Sequence, residues 1–133
     1  MNKQQIIAAE TCLQAAQDGT LSFPEIIARL INAGFEGYAV DYRSHRQVFY
    51  TPEGDSLALA LVAGPGPVAA AFAADGIEAL VRWAQSGAAD YSYGAFSERA
   101  RAAGCAGYLV SFPGRRVVYY GRTAEIHVEH FPG

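Results

Sequence analysis

Residues 22–50 read SFPEIIARLINAGFEGYAVDYRSHRQVFY, and residues 92–120 read SYGAFSERARAAGCAGYLVSFPGRRVVYY. Adding 70 to each number in the first stretch gives the second, and the identities in that register are Ser22/Ser92, Arg29/Arg99, Ala33/Ala103, Gly34/Gly104, Gly37/Gly107, Tyr38/Tyr108, Val40/Val110, Arg46/Arg116, Val48/Val118 and Tyr50/Tyr120. So many matches in one register mark an internal duplication. A register shifted by two extends it backwards, with Glu10, Ala16, Gln17 and Gly19 matching Glu78, Ala84, Gln85 and Gly87. The units run from about residue 6 to 62 and from about 75 to 131.

Within one unit the periodicity changes once. Ile6, Ala9, Leu13 and Ala16 recur at helical spacing and Gly19 stops that helix. Ser22-Phe23-Pro24-Glu25 has the capping-box pattern, Ile26, Ile27, Leu30 and Ile31 supply an apolar stripe, and Gly34 ends the second helix. From Gly37 the period is two, with Tyr38, Val40 and Tyr42 on one face and Ala39, Asp41 and Arg43 on the other. Ser44-His45-Arg46 turns the chain into a strand over 47–51, and Pro52-Glu53-Gly54-Asp55 into another over 56–62. Each unit is therefore predicted as two helices followed by a three-stranded meander. Gly34 and Gly104 are expected as helix stops, and Gly37 and Gly107 as close helix-to-strand turns.

Residues 63–67, Ala-Gly-Pro-Gly-Pro, break the composition and join the copies. Residues 68–74 are alanine-rich and fit helix or extended chain equally. Asp75 is placed to cap the third helix, whose stripe is Ile77, Leu80, Val81 and Ala84. The fourth helix carries Tyr93, Phe96, Ala100 and Ala103. The second meander follows as residues 107–112, a Pro113-Gly114 turn, 116–120 and 123–131. The fold class is α+β, a single domain over 1–133. Two such units bury their helices most economically when the meanders join as one antiparallel sheet with the four helices on one face about a pseudo-twofold axis; the alternative is two small sheets packed through their helices.

At 133 residues with 51% hydrophobic and 17% charged residues, the chain reads as globular, and a net charge of −3 gives no electrostatic case for nucleic acid. Cys12 and Cys105 lack paired spacing and read as reduced core thiols. No window approaches the ~20 apolar residues of a membrane span, so a cytoplasmic protein without a membrane partner is expected.

Few residues suggest chemistry. His127 and Glu129 alternate with Val128 and His130, so they share a face with Glu125 and could ligate a metal or act as an acid and base; two ligands fall short of a site, and a solvated sheet face is the favoured reading. Arg46 and Arg116 occupy equivalent hairpin positions beside His45 and Arg115. Convergent hairpins would make an anion site lined by Arg46, Arg116, Tyr38, Tyr108 and Tyr120; divergent hairpins, the favoured geometry, would leave the arginines solvated. The strand tyrosines Tyr38, Tyr50, Tyr108, Tyr119 and Tyr120 are equally explained by cross-strand aromatic packing. No phosphate loop, nucleophile elbow or zinc-protease pattern occurs, so neither an enzyme nor a cofactor is expected.

Asp90-Tyr91 with Phe96, Ala102-Ala103-Gly104, Tyr108, Tyr119-Tyr120 and the ending Val128-Glu129-His130-Phe131-Pro132-Gly133 resemble the C-terminal signature of a bacterial family of unknown function often labelled phage envelope protein. Phe23-Pro24 with Leu30, Gly34 and Tyr38 is similar to its N-terminal half, so the resemblance spans nearly the whole chain. The chain departs from the family's pattern at Ala84-Gln85, where members have His-Gln, and at Tyr108, where they have Trp. The resemblance implies a small protein, in some cases prophage-encoded, without an assigned reaction. A non-enzymatic binding domain is the leading expectation, a small-molecule or anion binder, or an enzyme, using a groove between the repeats the alternative, and a virion component the third.

The sheet adds one expectation. Leu57, Leu59 and Leu61 alternate with Ala58, Ala60 and Val62, so both faces of that strand are apolar. One face meets the helices; the other needs residues 68–74 or a second subunit as cover, which predicts a homodimer through the exposed sheet face or an edge strand, with twofold symmetry.

Overall fold

A computed structural model describes residues 1–62 and 64–132. Ala63, the first linker residue, and Gly133, the last of the terminal motif, lie outside the described residues. The elements follow the duplicated order: α1 (Lys3–Asp18), α2 (Phe23–Asn32), β1 (Gly37–Asp41), β2 (Arg46–Tyr50), β3 (Ser56–Ala60), α3 (Ala74–Gln85), α4 (Tyr93–Ala102), β4 (Cys105–Ser111), β5 (Arg116–Gly121) and β6 (Ile126–His130). No helix among the described residues is long and apolar enough to cross a membrane.

Local chemistry sets the helix ends. Asn2 and Ser22 close capping boxes on α1 and α2, each accepting from the amide three residues on while Gln5 and Glu25 reach back. Ser92 caps α4 by accepting from the Ala95 amide at 3.0 Å. In α3 the expected cap is corrected: Asp75 lies inside the first turn, the cap position is Ala73, and no side chain bonds the free amides there. Gly19 and Gly87 stop α1 and α3 in the left-handed region at φ 71° and 72°, and Gly34 and Gly104 follow α2 and α4 at 97° and 88°.

The two meanders form one six-stranded antiparallel sheet in the order β3-β2-β1-β4-β5-β6. The seam is β1 against β4, with Gly37 opposite Ser111, Ala39 opposite Leu109 and Asp41 opposite Gly107. Since Ala39 and Leu109 are one position of the unit, 70 apart, the pseudo-twofold axis passes through that pair.

The turns repeat at the same offset. His45 and Arg115 both take positive φ, at 59° and 50°. Asp41 Oδ1 accepts from the amides of Arg43 (2.9 Å) and Ser44 (3.2 Å), and Ser111 Oγ accepts from the Gly114 amide (3.0 Å). A short acceptor at the last strand residue thus fixes each hairpin. Two strands begin earlier than the periodicity suggested and one later: Arg46 is already in β2, β4 starts at Cys105 with a register irregularity before Gly107, and β6 starts at Ile126 rather than at residue 123. Glycine at 37 and 107 has a different cause from a turn. A Cβ at Gly37 would meet the Val110 carbonyl oxygen, and one at Gly107 the Val40 carbonyl oxygen, so the seam closes only without side chains there.

The helices cover one face. Leu30, Val40, Phe49, Ile77, Val110 and Cys105 are almost wholly buried between them and the sheet. Cys12 and Cys105 are buried free thiols. In the α2 stripe Ile26 and Leu30 are buried, whereas Ile31 is 50% exposed. Residues 68–74 lie on the helix side: Ala69 and Ala73 donate to the carbonyls of Arg101 (3.0 Å) and Ala103 (2.9 Å), and the Phe72 ring packs where a Cβ on Gly121 would sit. The segment that could have covered the second sheet face is occupied elsewhere.

Candidate functional site: the open face of the sheet

Strand alternation and register sort the strand residues onto two faces. Tyr38, Val40, Phe49, Tyr108, Val110, Val117 and Tyr119 point into the helices and are buried. Their cross-strand partners carry this face outward through Leu57 and Leu59 on β3 and His127 and Glu129 on β6.

Among the described residues no helix lies over the opposite face. Its central row runs across all six strands by direct pairing: Ala58, Val48, Ala39, Leu109, Val118, Val128. Each is apolar, Leu109 is 44% exposed, and Ala58 is exposed. On one side of this row lie Arg46, Asp41, Gly107, Tyr120 and Ile126; on the other lie Tyr50, Gly37, Ser111, Arg116 and His130. Ile126 is 59% and Tyr50 40% exposed. The Tyr120 ring lies across Gly107, where a Cβ would collide with it. Burial, and then the nearby Asp41 carboxylate, raise the Tyr120 phenol above its ordinary range. For Asp41 burial acts upwards too, but the amides of Ser44 and Arg43 hold the carboxyl below the usual range. Among the described residues it is the one carboxylate on the strands of this face, and it is ionised at neutral pH.

This geometry separates the residues singled out as a possible anion site. Arg46 and Arg116 stand at opposite corners of the open face, three strands apart and on opposite sides of the central row, on the order of 20 Å from each other. Tyr38 and Tyr108 are on the other side of the sheet, under the helices; only Tyr120 shares a face with the arginines. The Tyr108 hydroxyl is 2.6 Å from that of Tyr93, and Tyr42 donates to Ser97 at 3.3 Å. Burial pushes the phenols of Tyr38, Tyr42 and Tyr108 well above the ordinary tyrosine range, so these groups stay neutral in the core.

His127 and Glu129 share a face, as alternation predicted, and Glu129 is held from both sides. His127 Nε2 is 2.5 Å from Glu129 Oε2, and an Arg82 guanidinium nitrogen lies 2.9 Å from Oε1. The group ties α3 to the edge strand. Glu125 precedes β6 and accepts from the Thr123 hydroxyl at 2.7 Å, so it does not join them. Among the described residues no cluster of three or more His, Cys, Asp or Glu could hold a metal.

A groove of about 800 Å³ does lie between the repeats, bounded by Gln17 of α1, Glu98 and Arg101 of α4, and the Gly64–Val68 linker. None of the arginines or tyrosines expected to line such a groove is in it. Period-two alternation groups Ala39 with Asp41 and Leu109 with Ser111 in the sequence, but the row itself needs the β1–β4 register and the side taken by the helices, which only the structure supplies. No protein-family model matches the chain, and no curated protein matches it.

Proposed function

We propose that this chain is a non-enzymatic interaction protein, working inside the cell, that acts by laying the open sheet face against a macromolecular partner. The observation that carries the reading is the uninterrupted apolar row from Ala58 to Val128, left uncovered while residues 68–74 pack on the helix side. A half-wet antiparallel sheet ordinarily alternates apolar-in with polar-out; here the outward set is apolar along its middle row, with Arg46, Asp41 and Arg116 to either side of it, the pattern of an interface centre with a polar rim. The tyrosines buried as neutral phenols and the self-contained Arg82–Glu129–His127 group offer no poised nucleophile or base. The resemblance of the terminal motif to the family labelled phage envelope protein supports a prophage setting for such a role.

Hydroxyl-radical footprinting in intact cells tests this. Leu109 and Val118 are expected to be labelled several-fold less in cells than in dilute purified protein, while Ile31 on α2 is labelled equally in both. Equal labelling of Leu109 in the two settings would sink the reading. The groove at Gln17, Glu98 and Arg101 favours a second reading, a small-ligand site between the repeats, because the Gln17 side-chain oxygen is buried there without a hydrogen-bond partner. Ligand-dependent protection of Gln17 rather than Leu109 would select it.

A further inference from the structure

The partner that the open face fits best is another copy of itself, and we infer that the chain forms a twofold face-to-face dimer in which Leu109 of each copy packs over Ala39 of the other. This rests on the interaction reading above and adds the identity of the partner.

The face is laid out for self-pairing. Its internal axis stands normal to the sheet at the Ala39–Leu109 pair. Stacking a second copy by an in-plane twofold parallel to the strands lays β1 of one copy over β4 of the other and β2 over β5. Rows coincide with rows. Leu109, the largest side chain of the central row, then faces Ala39, one of the smallest, and Val48 faces Val118. At the corners Arg46 faces Tyr120 and Arg116 faces Tyr50. Each guanidinium therefore meets a phenol ring, the cation–π arrangement, and no arginine meets an arginine. Asp41 faces Gly107, over which the Tyr120 ring lies, so no carboxylate meets a carboxylate. The alternative in-plane axis, perpendicular to the strands, sets Leu109 on Leu109 and Ala39 on Ala39, leaving a bump beside a hollow. Large-on-small packing at ~10 Å between sheets favours the first.

The size is sufficient. Six strands at ~4.8 Å and five residues at ~3.3 Å give a face of about 29 by 16 Å, so the pair covers about 900 Å² as flat area, and side-chain relief carries this to the ~1,000 Å² of a specific interface. An interface of that size with few anchors places the association in the micromolar range.

Sedimentation equilibrium of the whole chain from 1 to 500 µM is the experiment. Wild type is expected to pass from monomer to dimer over that range. Leu109→Glu is expected to weaken association at least a hundredfold with an unchanged circular-dichroism spectrum, and Ala39→Lys to weaken it likewise. Mixing the two variants should restore a heterodimer, because the glutamate of one copy then faces the lysine of the other. A wild-type mass that stays monomeric at 500 µM overturns the self-association; if Leu109 is nevertheless protected in cells, the interaction reading stands with a different partner. A dimer unaffected by either variant, or variants that do not rescue one another, would overturn the proposed packing. Should Leu109→Glu fail to fold, Ala39→Lys on a half-buried small residue carries the same test.

Discussion

Ala39 lies directly opposite Leu109 across the β1–β4 seam, and the two are one position of the repeated unit. A duplicated meander can join its copy edge to edge in several registers; the observed one sets the local axis at the Ala39–Leu109 pair. Every other cross-repeat relationship follows from it, including the opposite corners taken by Arg46 and Arg116 and the matching approach of Gly37 and Gly107 to carbonyls of the neighbouring strand.

That approach can be measured. Gly107→Ala would place a methyl group on the Val40 carbonyl oxygen, and because backbone must move to admit it, a loss of about 2 kcal/mol or more is expected. Gly37→Ala should cost a similar amount at the Val110 carbonyl. Gly64→Ala, with open space around it, should stay within ~0.5 kcal/mol of wild type. Urea unfolding compares the three, and equal costs for all would show that the seam is not sterically closed.

The first turn of α3 lacks a side-chain cap. Ala73→Asp supplies an acceptor for the free amides and a negative charge at the positive end of the helix, so a gain of about 0.5–1 kcal/mol is expected. Ala73→Val, without an acceptor, is the comparison. Matching melting temperatures for the two variants would contradict the argument.

Glu129 gives the fold a share of its acid sensitivity. Burial acts to raise its pKa, but the bonds from His127 and Arg82 outweigh this and hold the carboxyl below the ordinary glutamate value. On acidification the unfolded chain takes up that proton first, at about pH 4.3. The contribution is therefore present above that value and lost as the pH falls through the lower folded one. Wild type should exceed Glu129→Gln in unfolding free energy at pH 6 by more than at pH 3. A difference constant over that interval would show that the carboxylate is not held as described.

Cys12 and Cys105 should behave as inert core thiols. Burial raises both, Arg29 drawing Cys12 back only in part, and Cys105 is pushed up to about 11. At pH 8 the folded protein is expected to react with an aromatic disulfide reagent hundreds of times more slowly than after addition of guanidinium, when both thiols titrate. Recovery of no thiol from the denatured, unreduced chain would mean a bridge had formed.

The sequence by itself determined what local chemistry determines. The repeat at an offset of 70, the switch from period 3.6 to period 2 at Gly37, the capping box at Ser22 and the glycine stops fix the kind and order of the elements, because each depends on residues within about one turn of one another. The partition of Leu57 from Ala58 along β3 was legible for the same reason. Tertiary structure decided everything set by strand order and by where free segments lodge. Arg46 and Arg116 are equivalent in sequence, yet insertion of β1 and β4 between β2 and β5 drives them to opposite corners. Residues 68–74 could have covered either face; backbone bonds to Arg101 and Ala103 at the end of α4 hold them beside the helices. Tyr38 and Tyr120 look alike in the alternating pattern, and only the side taken by the helices makes one a core residue and the other part of an open surface. Alternation states which residues share a face, but which face is buried depends on contacts between residues far apart in the chain, and on those the sequence pattern is silent.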